Sequence, residues 1–210
     1  MSRHAINWVI AGISALVLLT PSVLPQEGSE TPDAKQQATL RLAQEVRKQI
    51  VTNPRFGVFD YIHFAIQGDT VILRGKASRP VLKSSIENSV QRIEGVNKVV
   101  NEIEVLPVSP NDDRIRAAVY QSIYGFAPLQ RYTSNRGGPR GMGSVARAAG
   151  GITNDPPFGW HAIHIIVENG NVTLTGVVDS DMDLALAGMR ANSVPGVFSV
   201  DNALQVATRV

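Results

Sequence analysis

Residues 71–77 read Val-Ile-Leu-Arg-Gly-Lys-Ala, and residues 172–178 read Val-Thr-Leu-Thr-Gly-Val-Val. Residues 95–105, Gly-Val-Asn-Lys-Val-Val-Asn-Glu-Ile-Glu-Val, return at 196–206 as Gly-Val-Phe-Ser-Val-Asp-Asn-Ala-Leu-Gln-Val. Both pairs lie 101 residues apart, and 62–106 aligns with 163–207 at that spacing without a gap. Identical residues include His63/His164, Val71/Val172, Leu73/Leu174, Gly75/Gly176, Gly95/Gly196, Val96/Val197, Val99/Val200, Asn101/Asn202 and Val105/Val206. The apolar alternation matches along the whole stretch, which marks a duplicated structural unit.

Each unit reads element by element. A first helix is expected at about 38–51, where Leu42, Val46 and Ile50 stand four apart on one face. Ile115, Val119 and Ile123 do the same in a helix at about 112–124. Strand one, about 58–66, alternates Ile62, Phe64 and Ile66; its copy has Ile163, Ile165 and Val167. Gly68-Asp69 and Asn169-Gly170 then supply tight turns, the second a strong hairpin signal. Strand two alternates Val71, Leu73, Gly75 and Ala77, or Val172, Leu174, Gly176 and Val178.

A second helix follows. In copy one Ser78 is the expected cap, Pro80 lies in the first turn, and Leu82, Ile86 and Val90 face inward. In copy two Asp179 or Ser180 caps, and Leu184, Ala187 and Ala191 face inward. Gly95 and Gly196 are expected to end these helices in a left-handed conformation. Strand three carries Val99, Asn101, Ile103 and Val105, or Val200, Asn202, Leu204 and Val206. The order is α-β-β-α-β, twice. The fold class is α+β, with two tandem modules, each a small three-stranded mixed sheet covered by two helices. Asn101 and Asn202 sit among apolar residues, where a buried amide needs partners, so each is expected to hold a neighbouring backbone turn.

The rest of the chain sets the boundaries. Trp8 to Leu19 is apolar and uncharged after Arg3, and polar sequence follows from Gln26. An apolar run of about 7–15 residues is the length of a secretory signal, while a spanning helix needs about 20. Residues 1–24 are therefore expected to be a signal peptide or a retained N-terminal anchor, with a buried helix at the chain start as the alternative. Export to the periplasm follows, with retention at the inner membrane if the segment is not cleaved. Residues 25–37 read as a flexible tether. The modules are then 38–107 and 111–210, the second with a long insertion at about 125–158. Of 210 residues none is cysteine, which excludes disulfide scaffolds, thiolate metal sites and cysteine nucleophiles. Net charge is +2, from 20 Lys and Arg against 18 Asp and Glu, too balanced for general nucleic-acid binding.

The pattern V-x-L-x-G-x-[AV], a helix, then G-V-x-x-V-x-N-x-[IL]-x-V resembles the BON domain family. Gly75, Gly95 and Asn101 carry it in copy one, and Gly176, Gly196 and Asn202 in copy two. The resemblance covers about 60–107 and 160–207. It implies an exported, non-catalytic bacterial envelope protein working near membranes, with phospholipid binding, envelope integrity under osmotic stress, or module duty in larger assemblies as its roles. Relatives anchored through a lipidated cysteine are not matched in that respect. No cofactor is implied.

The insertion departs from the compact unit, and connections of this length are usually functional or disordered. It carries Arg131, Arg136, Arg140 and Arg147 against Asp155, with Phe126, Leu129, Tyr132, Met142 and Phe158. Such a loop suits an anionic lipid surface, each basic residue adding about 1 kcal/mol near it. Copy one, with ten Lys and Arg against seven Asp and Glu, suits the same partner, and its Lys76, Arg79 and Lys83 flank strand two and the second helix. Copy two balances at eight and eight. Charge favours copy one and the insertion favours copy two. The candidate contacts to anionic phospholipid or an envelope protein are therefore Arg131, Tyr132, Arg136, Arg140, Arg147, Lys76, Arg79 and Lys83, in a peripheral membrane association.

Other motifs carry less. Residues 141–146 match G-x-G-x-x-A, but no strand precedes them as a dinucleotide site requires. Asn135-Arg-Gly-Gly138 is a single RGG-like segment and indicates no nucleic-acid partner. Asp179-Ser-Asp-Met-Asp183 imitates a calcium loop, yet Leu184 and Arg190 stand where Gly and Glu are needed, so helix capping is expected and no metal. His161 and His164 lie three apart, hence on opposite strand faces. His63 and His164 share one strand position and read as outer-face polar residues, with pH sensing or a domain interface as the sharper alternatives. No serine sits in a nucleophile elbow and no motif places a carboxylate pair, so no catalytic residue is assigned.

Overall fold

The structure, a computed structural model, describes residues 32–132 and 161–207. Module one runs α1 (Pro32–Val51), β1 (Tyr61–Gln67), β2 (Thr70–Ala77), α2 (Pro80–Val90) and β3 (Lys98–Val105). Module two runs α3 (Pro110–Tyr124), a 3₁₀ turn (Ala127–Tyr132), β4 (Ile163–Glu168), β5 (Asn171–Val178), α4 (Asp181–Asn192) and β6 (Ser199–Val206). In each sheet the hairpin pairs antiparallel and the helical crossover brings the third strand in parallel, giving orders β1-β2-β3 and β4-β5-β6. The two α-β-β-α-β modules are those expected from the repeat.

The alternation and the four-residue spacings dictate the cores. Val46 and Ile50 of α1 pack with Val71, Leu73, Leu82, Ile86 and Ile103. Ile115, Val119 and Ile123 of α3 pack with Ile163, Ile165, Leu174, Ala187 and Leu204.

Gly75 and Gly176 show why the repeat keeps glycine in strand two. Their φ angles are +122° and +124°. A Cβ there would lie 2.0 Å from the Tyr61 carbonyl oxygen, or 1.9 Å from that of Ala162. The entry of each first strand passes too close for any side chain.

Several local expectations change. The first helix starts at Pro32, so residues 32–37 are helical and not tether; those positions have no apolar period to announce them. Strand one starts at Tyr61 rather than 58. Ser78 does not cap α2. The N-cap is Arg79, with no side-chain cap, because the Ser78 hydroxyl is turned to Asp60 at 2.7 Å. Ser180 does cap α4, accepting from the Asp183 amide at 3.2 Å. Gly95 and Gly196 are left-handed but lie in the turns beyond the helices, whose C-caps are Gln91 and Ser193.

Candidate functional site

The start of α2 is the basic end of module one. Arg79 donates from Nη2 to the Arg55 carbonyl at 3.2 Å, and Pro80 opens the helix. Lys83 follows one turn later, half-buried, and Arg55 is exposed. No acidic residue stands in the first turn of α2. Asp60, whose carboxylate feels the charge of Arg79, is buried and engaged. It accepts from the amides of Gly57 (2.8 Å) and Ser78 (2.6 Å) as well as from the Ser78 hydroxyl. Burial pushes its carboxyl above the ordinary range, against those hydrogen bonds and the charge of Arg79.

Module two differs at the equivalent helix start. Ser180 stands for Arg79, Asp181 for Pro80 and Leu184 for Lys83. Asp181 and Asp183 occupy the first turn of α4. The helix dipole is complemented within the module there, whereas in module one neither a side-chain cap nor an acidic residue meets it.

The other expected contacts are placed as follows. Lys76 lies between two carboxylates, donating to Glu104 of its own sheet and to Glu168 of module two at 3.2 Å. The hydrogen bond to Glu104, then that to Glu168, raises its ammonium above the usual range. Arg131 donates to Asp183, and to Asp179 at 3.2 Å. Tyr132 is buried, its hydroxyl donating to Asp183 at 2.8 Å and accepting from the Asp179 amide at 2.8 Å. Burial alone would raise Asp183, but hydrogen bonds from Ser180 and Tyr132 and the Arg131 charge hold it below its ordinary range. Leu129 is also buried, and Phe126 lies under the Arg190 guanidinium at 5.1 Å. The first turn of the insertion is thus built into module two. Arg136, Arg140 and Arg147 lie outside the described residues, as do both motifs at 135–146 and the apolar run at 8–19. No helix among the described residues is long and apolar enough to cross a membrane.

Asn101 and Asn202 hold backbone, of a helix rather than a turn. Asn101 Nδ2 donates to the Lys83 carbonyl at 3.2 Å, and Asn202 Nδ2 to the Leu184 carbonyl at 2.8 Å. The acceptors are themselves repeat equivalents. Each amide ties the third strand to the second helix.

Sequence reasoning missed the seam between modules. Residues 56–60 leave α1 and run along the open edge of β4, where the Ile165 amide donates to the Val58 carbonyl at 2.8 Å. Val58 and Phe59 enter the core of module two, and Phe59 meets the ring of Tyr120 edge-on at 6.3 Å. His164 in β4 and His161 two residues before the strand meet different partners. His161 packs on Tyr124 (5.1 Å) and Tyr120 (5.8 Å) of α3. His164 packs on Phe56 (5.4 Å) and Tyr61 (6.3 Å) of module one.

These observations define a pair of α-β-β-α-β modules with one basic helix end and a packed seam. A model of the BON domain matches residues 39–107 and 151–208. The chain belongs to the BON domain family, and with it to the envelope-associated modules. No curated protein matches the chain. Among solved structures, the C-terminal domain of CdsD, the structural protein of the type III secretion system of Chlamydia trachomatis, is similar at 14% identity. The likeness covers 80% of this chain and 98% of that one, with a TM-score of 0.26. A second structure of CdsD from the same organism is similar at 14% identity, over 80% of this chain and 93% of that one, again at 0.26.

Proposed function

We propose that this is an exported, non-catalytic, periplasmic protein that binds anionic phospholipid headgroups and supports envelope integrity, including tolerance of osmotic stress. The observation that carries the reading is the contrast between the two equivalent helix starts. Module one presents Arg79 and Lys83 at a helix N-terminus with no side-chain cap and no acidic residue in its first turn, a setting that favours a phosphate. Module two fills the same place with its own serine cap and aspartates. Module one is therefore the lipid-facing copy, and Arg136, Arg140 and Arg147 of the insertion remain secondary candidates.

The test is co-flotation of the chain from residue 25 with neutral and anionic vesicles at low and high salt. The expected result is binding to anionic vesicles alone, weakened by salt. Arg79→Ala with Lys83→Ala should weaken it by about 1 kcal/mol each, roughly thirty-fold together. Equal binding to both vesicle types, or to neither, would defeat the reading.

A second reading, a scaffold for an envelope protein, is favoured by module two. Phe198 (86% exposed), Met182 (72%) and Met189 (61%) stand on its surface. Two of the three equivalents in module one are polar, Asn97 and Asn88. Crosslinking to an envelope protein that is lost in Met189→Asn with Phe198→Asn, with no vesicle binding, would favour this reading over the first.

A further inference from the structure

His63 and His164 occupy the same position of the same strand in the two copies, and their surroundings differ. His63 is exposed, with Tyr61 beside its ring at 5.4 Å. His164 is 5% exposed. The internal copy shows that nothing in the module fold itself buries this position. His164 is covered because module one lies on it, through Phe56 and Tyr61. Its protonation is thereby linked to the packing of the seam between modules.

We propose that His164 is an acid-sensitive latch: the neutral imidazole lets the modules pack, and the protonated one releases them. Imidazole is the side chain whose ordinary titration falls in the range a periplasmic protein meets, and buried histidines serve as pH-dependent clasps on this principle.

The groups around it set the sense and size of the effect. From the 56–60 segment come Asp60, whose carboxylate is occupied by Gly57 and Ser78, and backbone groups of Gly57 and Asp60 that hydrogen-bond the ring and favour its charge. From β1 come Tyr61 and, beyond it, His63. On the approach to β4 stands His161, with Tyr120 and Tyr124 of α3 against it. Further along the same face of β4, Glu168 holds Lys76. Burial first, and the charge of His161 second, outweigh the backbone groups and push His164 down to about 4.

A histidine with its packed-state value below its free value of about 6.5 stabilises the packed state fully above 6.5, and that contribution is lost as pH falls. Each unit below 6.5 favours opening about tenfold until about pH 4, roughly 300-fold in all. Asp60, held above its ordinary range by burial, acts in the opposite sense as it takes up its proton, so 300-fold is the upper limit.

The experiment is amide hydrogen exchange on the full chain between pH 7 and 4, corrected for intrinsic rates. The Ile165 amide, bonded across the seam to Val58, reports opening even when opening is rare. The expected result is a fall in its protection approaching 300-fold, with β5 amides, which need module two to unfold, staying better protected than Ile165 at every pH. In His164→Phe, which keeps a ring against Phe56 and Tyr61, the fall should vanish; His63→Phe should leave it unchanged. If His164→Phe does not fold, His164→Gln and an NMR titration of the native imidazole take its place. The proposal is overturned by a flat wild-type profile, by the same fall without His164, by an imidazole titrating near 6.5, or by Ile165 and the β5 amides showing equal protection, which would leave no opening of the seam apart from unfolding.

Discussion

At the scale of single residues, glycine in strand two is the most constrained choice in the chain. A side chain at Gly75 meets two obstacles at once: a φ of +122° and the Tyr61 carbonyl oxygen 2.0 Å from the Cβ position. The first alone costs about 1–3 kcal/mol, and the second forces β1 away from β2 at its entry. Gly75→Ala should therefore destabilise module one by at least about 3 kcal/mol, read as a fall in urea midpoint with little change in slope. Gly176→Ala should do the same to module two, since the Ala162 carbonyl stands in the equivalent place. An alanine tolerated within about 1 kcal/mol at either site would show that the strand entry can shift aside.

At the scale of elements, the informative comparison is between α2 and α4. The same helix begins with Arg79-Pro80 in one copy and Ser180-Asp181 in the other, so a cation stands where the other copy has its serine cap. Arg79→Ser writes the module-two cap into module one. It should stabilise α2 by up to about 1 kcal/mol while weakening binding to anionic vesicles several-fold. A variant that binds as tightly as the parent would place lipid recognition elsewhere. The helices and strands themselves were legible because their signals are local: Leu82, Ile86 and Val90 recur at helical spacing, and Val71, Leu73 and Gly75 alternate. The repeat doubled that signal and carried the family. Side chains that act across elements were not legible. Nothing in the sequence around Ser78 shows that Asp60, 18 residues earlier, takes its hydroxyl from the helix it should cap. Arg131 and Tyr132 read as surface groups because Asp179 and Asp183, which hold them, lie about 50 residues away.

At the scale of the whole molecule, the chain is a tandem repeat whose units are not independent beads. A unit of roughly 70 residues buries a modest core, and module two enlarges its own with Val58 and Phe59 from the sequence of module one. Phe59 is 1% exposed, against Tyr120 and the inner face of module two. Truncating a buried phenylalanine costs about 3–5 kcal/mol through lost transfer energy and the cavity left behind. Its sequence position assigns that cost to module one, but its contacts assign it to module two. Phe59→Ala should lower the stability of module two in the full chain by about 3 kcal/mol, towards that of residues 108–210 alone. Urea unfolding followed through β2 and β5 amides separates the cases. Loss confined to β2, with β5 unmoved, would mean that the segment lies against module two without stabilising it. Loss at β5 would establish that the second copy depends on the first, which is the condition under which one histidine at the seam can govern how both surfaces are presented.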